Sequence, residues 1–302
     1  MSKNKTILLT GGTGFIGTAL CRQLVNQGYV VFILSRSAKQ RNNTEAIHYI
    51  SDLSELNGTY IDSVINLAGE PLAAKRWTSQ RKSEFIQSRV DTTRQLFEYF
   101  KQQNHPPQTI ISGSAIGYYG ACEDECLDEQ SPAGSGFAAE LCQQGEKQSD
   151  EFKSLVARLC IVRSGVVLGP DGGAFTEMRR SFDLKVASRM GDGQQWLSWI
   201  HLDDMVNSLM FLLTHNTAQG IFNATAPEPV TNAYFTTAMQ QATGAWISVP
   251  LPAFALRALV GEMAVDILLV GQRVIPKQLL DMSFEFKHSQ VDDAIREILA
   301  HE

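Results

Sequence analysis

The chain has 302 residues, of which 44% are apolar and 19% charged, as in ordinary globular proteins with a buried core. Its formal net charge of −6 argues against nucleic acid as a main partner, because phosphate binding needs clustered Lys and Arg side chains. No apolar run approaches the ~18 residues of a membrane span, and the run at residues 7–9 is too short for a signal peptide. We therefore expect no membrane contact and a cytoplasmic location.

The first half of the chain alternates short apolar runs with amphipathic stretches. Runs rich in Val and Ile predict buried strands at residues 6–10, 29–35, 46–50, 62–68, 108–114 and 155–165. Apolar residues at helical spacing predict helices at residues 15–27, 80–102 and 137–152. This alternation predicts an α/β fold with a Rossmann-like, doubly wound parallel sheet.

The residue pattern changes after about residue 168, where loop-like stretches and mostly helical patterns replace the alternation of strands and helices. Residues 201–215 predict a helix, and residues 220–225 predict one more strand. We predict two domains: a Rossmann domain of residues 1–168 plus about 200–226, and a smaller C-terminal substrate domain of about 169–199 plus 227–302. A small-molecule substrate would bind in the cleft between them, and the protein would be a monomer or a homodimer.

The stretch TGGTGFIG, residues 10–17, follows the first predicted strand and opens a helix. Gly11 allows a sharp turn, Gly14 lets backbone N–H groups approach a pyrophosphate, and Gly17 lets the helix pack against the strand. The helix N-terminus offers free N–H donors to the phosphates. In this context we assign the following residues to a dinucleotide site: Gly11, Thr13, Gly14, Phe15, Ile16 and Gly17.

The second predicted strand ends in Ser35 and Arg36, where an NAD site would carry an acidic residue for the ribose 2′-hydroxyl. A guanidinium can bind a 2′-phosphate through paired hydrogen bonds, whereas a carboxylate would repel it. We therefore predict NADP(H) as the cofactor, with Ser35 and Arg36 at the 2′-phosphate. Alternatively, Arg36 is a solvated loop residue.

The five cysteines are scattered, and only Cys122 and Cys126 lie close together. The stretch CEDECLDE, residues 122–129, could hold a metal or be a solvated acidic loop. No second pair of Cys or His residues follows at ligand spacing, so we predict no metal site. Reduced thiols would fit a cytosolic compartment.

Several motifs resemble those of extended short-chain dehydrogenases/reductases. TGGTGFIG matches that group's TGxxGxxG loop, NLAG at residues 66–69 resembles its fourth-strand motif, and SGSAIGYYG at residues 112–120 resembles its fifth-strand segment. INLAGEPLAAKRWT, GDGQQWLSWIHLDD and GQRVIPKQLL resemble an epimerase-like branch of the NAD-dependent epimerase/dehydratase family, also described as SulA-like cell-division inhibitors. The resemblance covers essentially the whole chain. It favours a reductase or epimerase acting on a nucleotide-sugar or another small polar alcohol or ketone.

The resemblance also implies roles for particular residues. Ser114 would bond the reacting oxygen of the substrate. The motif RSGVVLGP, residues 163–170, would bring Val166 to the cofactor. The backbone of the NLAG motif would line the cofactor at Leu67, Ala68 and Gly69.

One departure from the group concerns its acid/base pair, Tyr-x-x-x-Lys. By position the pair falls on Phe137 and Leu141, neither of which can move a proton, and the chain contains no Tyr-x-x-x-Lys elsewhere. If the protein is an enzyme, another group must replace the tyrosine. Alternatively, the protein is an NADP(H)-binding regulator without turnover, since binding needs no groups placed for a transition state.

Tyr118 is our candidate for that replacement. Tyr118 and Tyr119 follow Ser114 at the carboxyl end of the fifth strand, the edge at which doubly wound sheets bind ligands. A neighbouring cation such as Lys75 or Arg76 would lower a tyrosine pKa from its usual value near ~10. Alternatively, both tyrosines pack beneath the cleft.

Arg89 is a second departure, because the wider group often has an asparagine there. It lies beside Phe85, Thr93 and Leu96 at helical spacing, so it borders a buried stripe. A buried Arg needs a partner, and we predict that Arg89 points at the cofactor phosphates or ribose, with Glu84 nearby. Alternatively, Arg89 extends to solvent along the helix surface.

Overall fold

The computed structural model describes residues 5–56, 58–72 and 76–300, apart from the side chain of Val260. The strands are β1 (Thr6–Thr10), β2 (Val30–Leu34), β3 (Ile47–Ile50), β4 (Ser63–Asn66), β5 (Thr109–Ala115), β6 (Cys126–Leu127), β7 (Arg158–Ser164), β8 (Val166–Leu168), β9 (Val186–Met190), β10 (Trp196–Leu197), β11 (Trp199–His201), β12 (Gly220–Ala224), β13 (Val230–Thr231), β14 (Ile247–Leu251) and β15 (Arg273–Val274).

The α-helices are α1 (Phe15–Asn26), α2 (Ser79–Lys101), α3 (Phe137–Asp150), α4 (Gly173–Asp183), α5 (Leu202–Thr214), α6 (Asn232–Thr243), α7 (Ala253–Val260), α8 (Lys277–Asp281) and α9 (Val291–Ala300). Single turns of 3-10 helix lie at Ala38–Gln40, Leu53–Leu56, Ile116–Tyr119 and Glu151–Ser154, and a π-helical turn at Ala264–Leu268. Among the described residues, no helix is both long and apolar enough to cross a membrane.

Seven strands form one sheet in the order β12-β7-β5-β4-β1-β2-β3, and all neighbouring pairs are parallel. The chain order reverses between β1 and β4, which creates a switch point where ligands bind at the carboxyl ends of the strands. The predicted Rossmann-like sheet is therefore confirmed. Each predicted strand of the first half falls on an observed one with ends that differ by up to three residues.

The sheet is buried on both faces because most residues at the centre of its strands are apolar. In β1, Ile7 and Leu9 pack with Leu20 of α1 and Leu209 of α5. Leu8 points to the opposite face and joins the core beneath α2. Successive strand residues thus serve two helical layers, as the period of two requires.

A second apolar cluster lies in the part of the chain that we assign to the smaller domain. It brings together Phe175 of α4, Trp199 of β11, Phe235 of α6 and Ile295 of α9. However, Leu279 and Phe284, near the C-terminus, pack in the same cluster as α1 and α5. The exact division into two domains remains a prediction.

Candidate cofactor and substrate site

The glycine loop after β1 lies against backbone of neighbouring segments. Gly11 has φ of +67°, and a Cβ there would lie 2.4 Å from the carbonyl oxygen of Leu67. A Cβ on Gly17 would lie 2.1 Å from the carbonyl oxygen of Gly11. No side chain caps α1, which begins just after Gly14, so its first N–H groups can bind an anion. The residues therefore fit a dinucleotide pyrophosphate.

Hydrogen bonds hold the segment after β4 beside this loop. The hydroxyl of Thr10 donates to Asn66 Oδ1 at 2.6 Å and accepts from the N–H of Ala68 at 3.1 Å. The amide nitrogen of Asn66 donates to Thr93 Oγ1 of α2 at 2.9 Å. Two strands and a helix thus fix the backbone of the NLAG motif at the switch point.

At the end of β2, Arg36 projects from the surface with its side chain 92% exposed. Its Nη2 lies 2.7 Å from Glu70 Oε1, a partner that we did not predict. Ser35 Oγ lies 3.1 Å from Ser37 Oγ. An exposed ion pair contributes little energy, so Arg36 can leave Glu70 for a stronger anion such as a phosphate.

Arg89 of α2 is half-buried beneath the NLAG segment. Its Nη1 and Nη2 each donate to the carbonyl oxygen of Glu70 at 3.2 Å, and a Cβ on Gly69 would lie 2.8 Å from its Cζ. Burial lowers the pKa of Arg89. The guanidinium therefore supports the loop and borders the cleft, rather than extending into solvent.

The segment after β4, the end of β5 and one face of α3 enclose a cavity of about 230 Å³. Among its lining residues are Ile16, Gly69, Arg89, Ser114, Cys142 and Glu146. We call this cavity the cofactor cleft. It lies at the carboxyl edge of the sheet, where the topology places a ligand.

A buried charged group closes one end of the cofactor cleft. Ser114 Oγ donates to Glu146 Oε1 at 2.6 Å. Arg163 of β7 donates from Nε to Glu146 Oε1 at 2.8 Å and from Nη2 to Glu146 Oε2 at 2.7 Å. The side chain of Arg163 is 1% exposed and that of Glu146 10%, so the two charges compensate each other away from water.

The same arginine connects the cleft to a deeper polar network. Arg163 Nη1 donates to Tyr119 Oη at 3.0 Å, and Tyr119 donates to Asn223 Oδ1 of β12 at 2.7 Å. The N–H of Asn223 donates to Glu129 Oε1 at 3.0 Å. Burial raises the pKa of Glu129. Four segments distant in sequence thus meet beside β7.

A family model described as the NAD dependent epimerase/dehydratase family matches residues 7–225, and the domain of unknown function DUF1731 matches residues 251–298. The chain belongs to the NAD dependent epimerase/dehydratase family. The resemblance inferred from the sequence motifs is therefore confirmed.

Three similar proteins show how far the likeness extends. An epimerase family protein of Mycobacterium leprae is 35% identical over 297 residues, which span 97% of this chain and 95% of that protein. The structure of the human epimerase family protein SDR39U1 with NADPH has a TM-score of 0.87 and 31% identity, and covers 98% of this chain and 100% of its own. A nucleoside-diphosphate sugar epimerase from Corynebacterium glutamicum has a TM-score of 0.79 and 28% identity, and covers 99% of this chain and 59% of its own.

The two positions predicted for the acid/base pair, Phe137 and Leu141, both pack in one apolar cluster. The ring centroid of Phe137 lies 5.1 Å from that of Trp77 and 6.4 Å from that of Phe85. Leu141 is 1% exposed and packs in the same cluster with Met263. The burial of Leu141 would disfavour a charged lysine there, whereas Lys82 Nζ lies 4.7 Å from the ring centroid of Phe137.

The structure corrects our expectation about the tyrosines. Lys75 lies outside the described residues, and Arg76 lies against the turn that follows α7. The cation beside both rings is instead Arg163, whose Cζ lies 3.3 Å from the ring centroid of Tyr118. Burial outweighs this cation at Tyr119 and raises its pKa, so a lowered pKa is wrong for Tyr119. Tyr118 lines a separate cavity, and its catalytic role remains a prediction.

Three predicted cofactor residues contact other parts of the chain. Phe15 packs its ring against the loop after β8, where a Cβ on Gly169 would lie 2.9 Å away. Val166 pairs with Trp199 in the small β8–β11 sheet and packs against the second apolar cluster. Glu84 forms an ion pair with Arg81. Their contact with a cofactor remains a prediction, as does that of Thr13.

One group of potential metal ligands exists among the described residues, formed by ring nitrogens of His201 and His288 and a carboxylate oxygen of Asp203, within 4.8 Å of one another. Lys287 Nζ lies 3.3 Å from Asp203 Oδ2 and 3.0 Å from Glu297 Oε1. Its ammonium already supplies a cation there. Burial and the neighbouring His288 lower the pKa of His201 to about 4.

Sequence reasoning missed Glu146, which carries no recognisable motif. The available signal was Arg163, a charged residue inside the apolar run at residues 155–165. A buried arginine needs hydrogen-bond acceptors, which an acidic side chain or backbone carbonyls can supply. The sequence could therefore have predicted that a partner exists, but not that α3 supplies it.

Proposed function

We propose that this chain binds NADP(H) and transfers hydride between the nicotinamide and a carbon of a small polar alcohol or ketone, as a reductase or an epimerase. The observation that carries the proposal is the cofactor cleft, which runs from the uncapped start of α1 to the hydroxyl of Ser114. The glycine loop would hold the pyrophosphate, and Ser114 would bond the reacting oxygen. Bound nicotinamide would donate or accept the hydride.

The preference for NADP(H) rests on the end of β2. Arg36 is exposed, forms a surface ion pair with Glu70, and follows Ser35. These groups suit a 2′-phosphate better than a free 2′-hydroxyl. The human relative, whose structure was determined with NADPH, supports the same choice.

We also propose that the substrate lies between the Rossmann domain and the C-terminal domain. Trp196 Nε1 donates to Asp124 Oδ1 at 2.8 Å, so the two parts of the chain meet beside the loop that follows β5. The name of the Corynebacterium relative supports a nucleotide-sugar substrate. A cytoplasmic location and a monomeric or dimeric state remain predictions.

A second candidate function is that of an NADP(H)-binding regulator without turnover. Phe137 and Leu141 favour it, because they fill the predicted acid/base positions with a packed apolar cluster. Binding alone requires complementarity only to the ground state.

NADPH that carries deuterium at C4 of the nicotinamide tests both candidates. The purified protein is incubated with each of the two C4-deuterated epimers and a small-molecule extract, and mass spectrometry follows the label. We expect deuterium in a metabolite. Retention of the label on tightly bound NADPH, with no labelled metabolite, would contradict the enzyme and favour the regulator.

A further inference from the structure

We propose that Glu146 exchanges the substrate proton through Ser114, and so replaces the tyrosine that the family's acid/base pair would supply. This inference rests on the proposed hydride-transfer function. Ser114 is the residue that would touch the substrate, whereas Glu146 acts through it.

The direction of the hydrogen bond is the first step. Ser114 Oγ lies 2.6 Å from Glu146 Oε1, and an ionised carboxylate can only accept, so the serine hydroxyl donates. Ser114 Oγ also neighbours the thiol of Cys142, but its hydroxyl has two lone pairs, so one can still accept from a substrate. A substrate hydroxyl in the cofactor cleft can therefore donate its proton to Ser114, and the serine proton already points at Glu146.

Arg163 holds the carboxylate in this position. It contacts both carboxylate oxygens, and its remaining terminal nitrogen is engaged by Tyr119. Since the ring of Tyr118 covers its face at 3.3 Å, the guanidinium has little freedom to move. Glu146 is therefore fixed toward Ser114, in a geometry suited to proton transfer.

The carboxylate also has a route to water that avoids the cofactor cleft. Glu146 and Arg163 line a second cavity of about 280 Å³ between α3 and the β7–β12 edge of the sheet. The rim of this cavity carries exposed Lys147 and Lys153. Among the described lining residues, Glu146 alone borders both cavities. A proton can thus leave or enter while a cofactor and substrate fill the cleft.

The proton balance is complete with NADP+ as the named hydride acceptor. As the substrate carbon loses its hydride, the substrate O–H bond breaks and its proton joins Ser114 Oγ. The original serine proton moves to Glu146 Oε1, and the carbonyl product forms. Glu146 then releases the proton to water in the second cavity. Reduction of a carbonyl reverses each transfer.

Two variants separate the relay from a purely structural role. Glu146→Gln keeps an acceptor for Ser114 but cannot take the proton. Because it also leaves Arg163 without a countercharge, Ser114→Ala serves as a second variant in which the ion pair is intact. Glu140→Gln is the matched control, since Glu140 is an exposed glutamate of the same helix.

The first measurement needs no turnover. In cofactor-free protein with carbon-13 in its glutamate carboxyl groups, the signal lost in Glu146→Gln identifies Glu146. We expect Ser114→Ala to shift this signal, because it removes a hydrogen bond, and Glu140→Gln to leave it in place. An unchanged signal in Ser114→Ala would overturn the relay. NADPH fluorescence titrations should give the wild-type affinity for Glu140→Gln.

The second measurement is deuterium transfer from labelled NADPH to the metabolite that the wild-type chain labels. We expect Ser114→Ala and Glu146→Gln each to slow transfer about 100-fold or more, and the double variant to be no slower than either. Transfer by the wild-type chain should be slower in D2O than in H2O, because two protons move in the relay, and this solvent isotope effect should shrink in Glu146→Gln. Wild-type rates in both variants would overturn the relay alone. No transfer by the wild-type chain would overturn the proposed function and the relay together.

Discussion

One end of the cofactor cleft, which we propose for the phosphates and call the phosphate end, lies at the start of α1 beside the backbone of one continuous loop, Gly11 to Gly17. At the opposite end lie the side chains of Ser114, Glu146 and Arg163, which come from β5, α3 and β7. The structure of the phosphate end depends on glycines, because a side chain there would collide with backbone. The structure of the opposite end depends on charged groups that are buried as a pair.

This difference determines how each end tolerates change. A backbone site fails when an added atom has no space, whatever its chemistry. A buried charged group fails when one partner is removed, because the remaining charge has no water to solvate it. Substitutions at the two ends should therefore differ in what rescues them.

The largest effect should come from Arg163→Met, which leaves Glu146 buried without its countercharge. We expect the free energy of unfolding to fall by about 3–5 kcal/mol. A second change, Glu146→Leu, should recover most of this loss because both charges are then gone. Urea denaturation of the three variants measures the effect.

Arg180→Met is the control for this substitution, since Arg180 pairs with Glu177 on the surface with its side chain 70% exposed. Its stability should change by less than about 0.5 kcal/mol. If Arg163→Met lowers the free energy of unfolding no more than Arg180→Met does, the buried Arg163–Glu146 pair contributes little to stability.

Gly17→Ala tests the phosphate end. Its new Cβ would lie 2.1 Å from the carbonyl oxygen of Gly11 and 2.7 Å from Cα of Gly12, and neither backbone atom can move without distorting the loop. We expect a loss of roughly 3 kcal/mol in unfolding free energy and weaker NADPH binding. No second substitution should rescue it.

Gly145→Ala gives the matched comparison in stability. Gly145 lies within α3, and a Cβ there would meet no atom within 4 Å. Alanine should therefore stabilise α3 by up to about 1 kcal/mol. Equal changes in melting temperature for Gly17→Ala and Gly145→Ala would show that the glycine loop can accommodate a Cβ at position 17.

The two ends also differ in how well the sequence predicts them. The glycine loop was predictable because its requirements are local: a strand, three glycines at fixed spacing and a helix stand together in residues 6–26. The alternation of strands and helices was predictable for the same reason, because buried parallel strands are continuous apolar runs.

The partnership of Glu146 with Arg163 was not predictable, because it depends on register between distant segments. Ser114 pairs with Arg163 across β5 and β7, and α3 then crosses above them. The amphipathic pattern of α3 indicates which residues are apolar, but it does not identify the strand residue that each polar side chain meets. The Arg36–Glu70 pair was missed for the same reason.

The double variant Phe137→Tyr with Leu141→Lys restores the family's acid/base pair. It tests whether that pair can work at the end of the cleft that contains Ser114. Leu141 is 1% exposed in an apolar cluster, so an ammonium there would be poorly solvated. We expect a loss of about 2 kcal/mol in stability and no new activity on generic carbonyls. Leu141→Met should change stability by less than about 1.5 kcal/mol. New carbonyl reduction by the double variant would contradict this expectation and show that the cleft lacked only the family's acid/base pair.

The smallest effect should be that of Arg36→Ala, which removes a charge without removing any packing, since the side chain is almost fully exposed. We expect its Kd for NADPH to rise about tenfold, or about 1.4 kcal/mol, and its Kd for NADH to stay unchanged, because only the 2′-phosphate distinguishes them. Arg22→Ala, at an exposed position on α1, should leave both constants unchanged.

The Arg36–Glu70 pair gives this prediction a second arm. Glu70→Gln frees Arg36 and removes a carboxylate near the place that we propose for the 2′-phosphate. It should therefore tighten NADPH binding, and the effect should shrink at high salt. If Arg36→Ala weakens NADPH and NADH equally, Arg36 supports the loop rather than reading the 2′-phosphate. Cofactor binding at the phosphate end would then depend on backbone contacts alone. The difference from the opposite end, which depends on the charged side chains of Glu146 and Arg163, would be larger still.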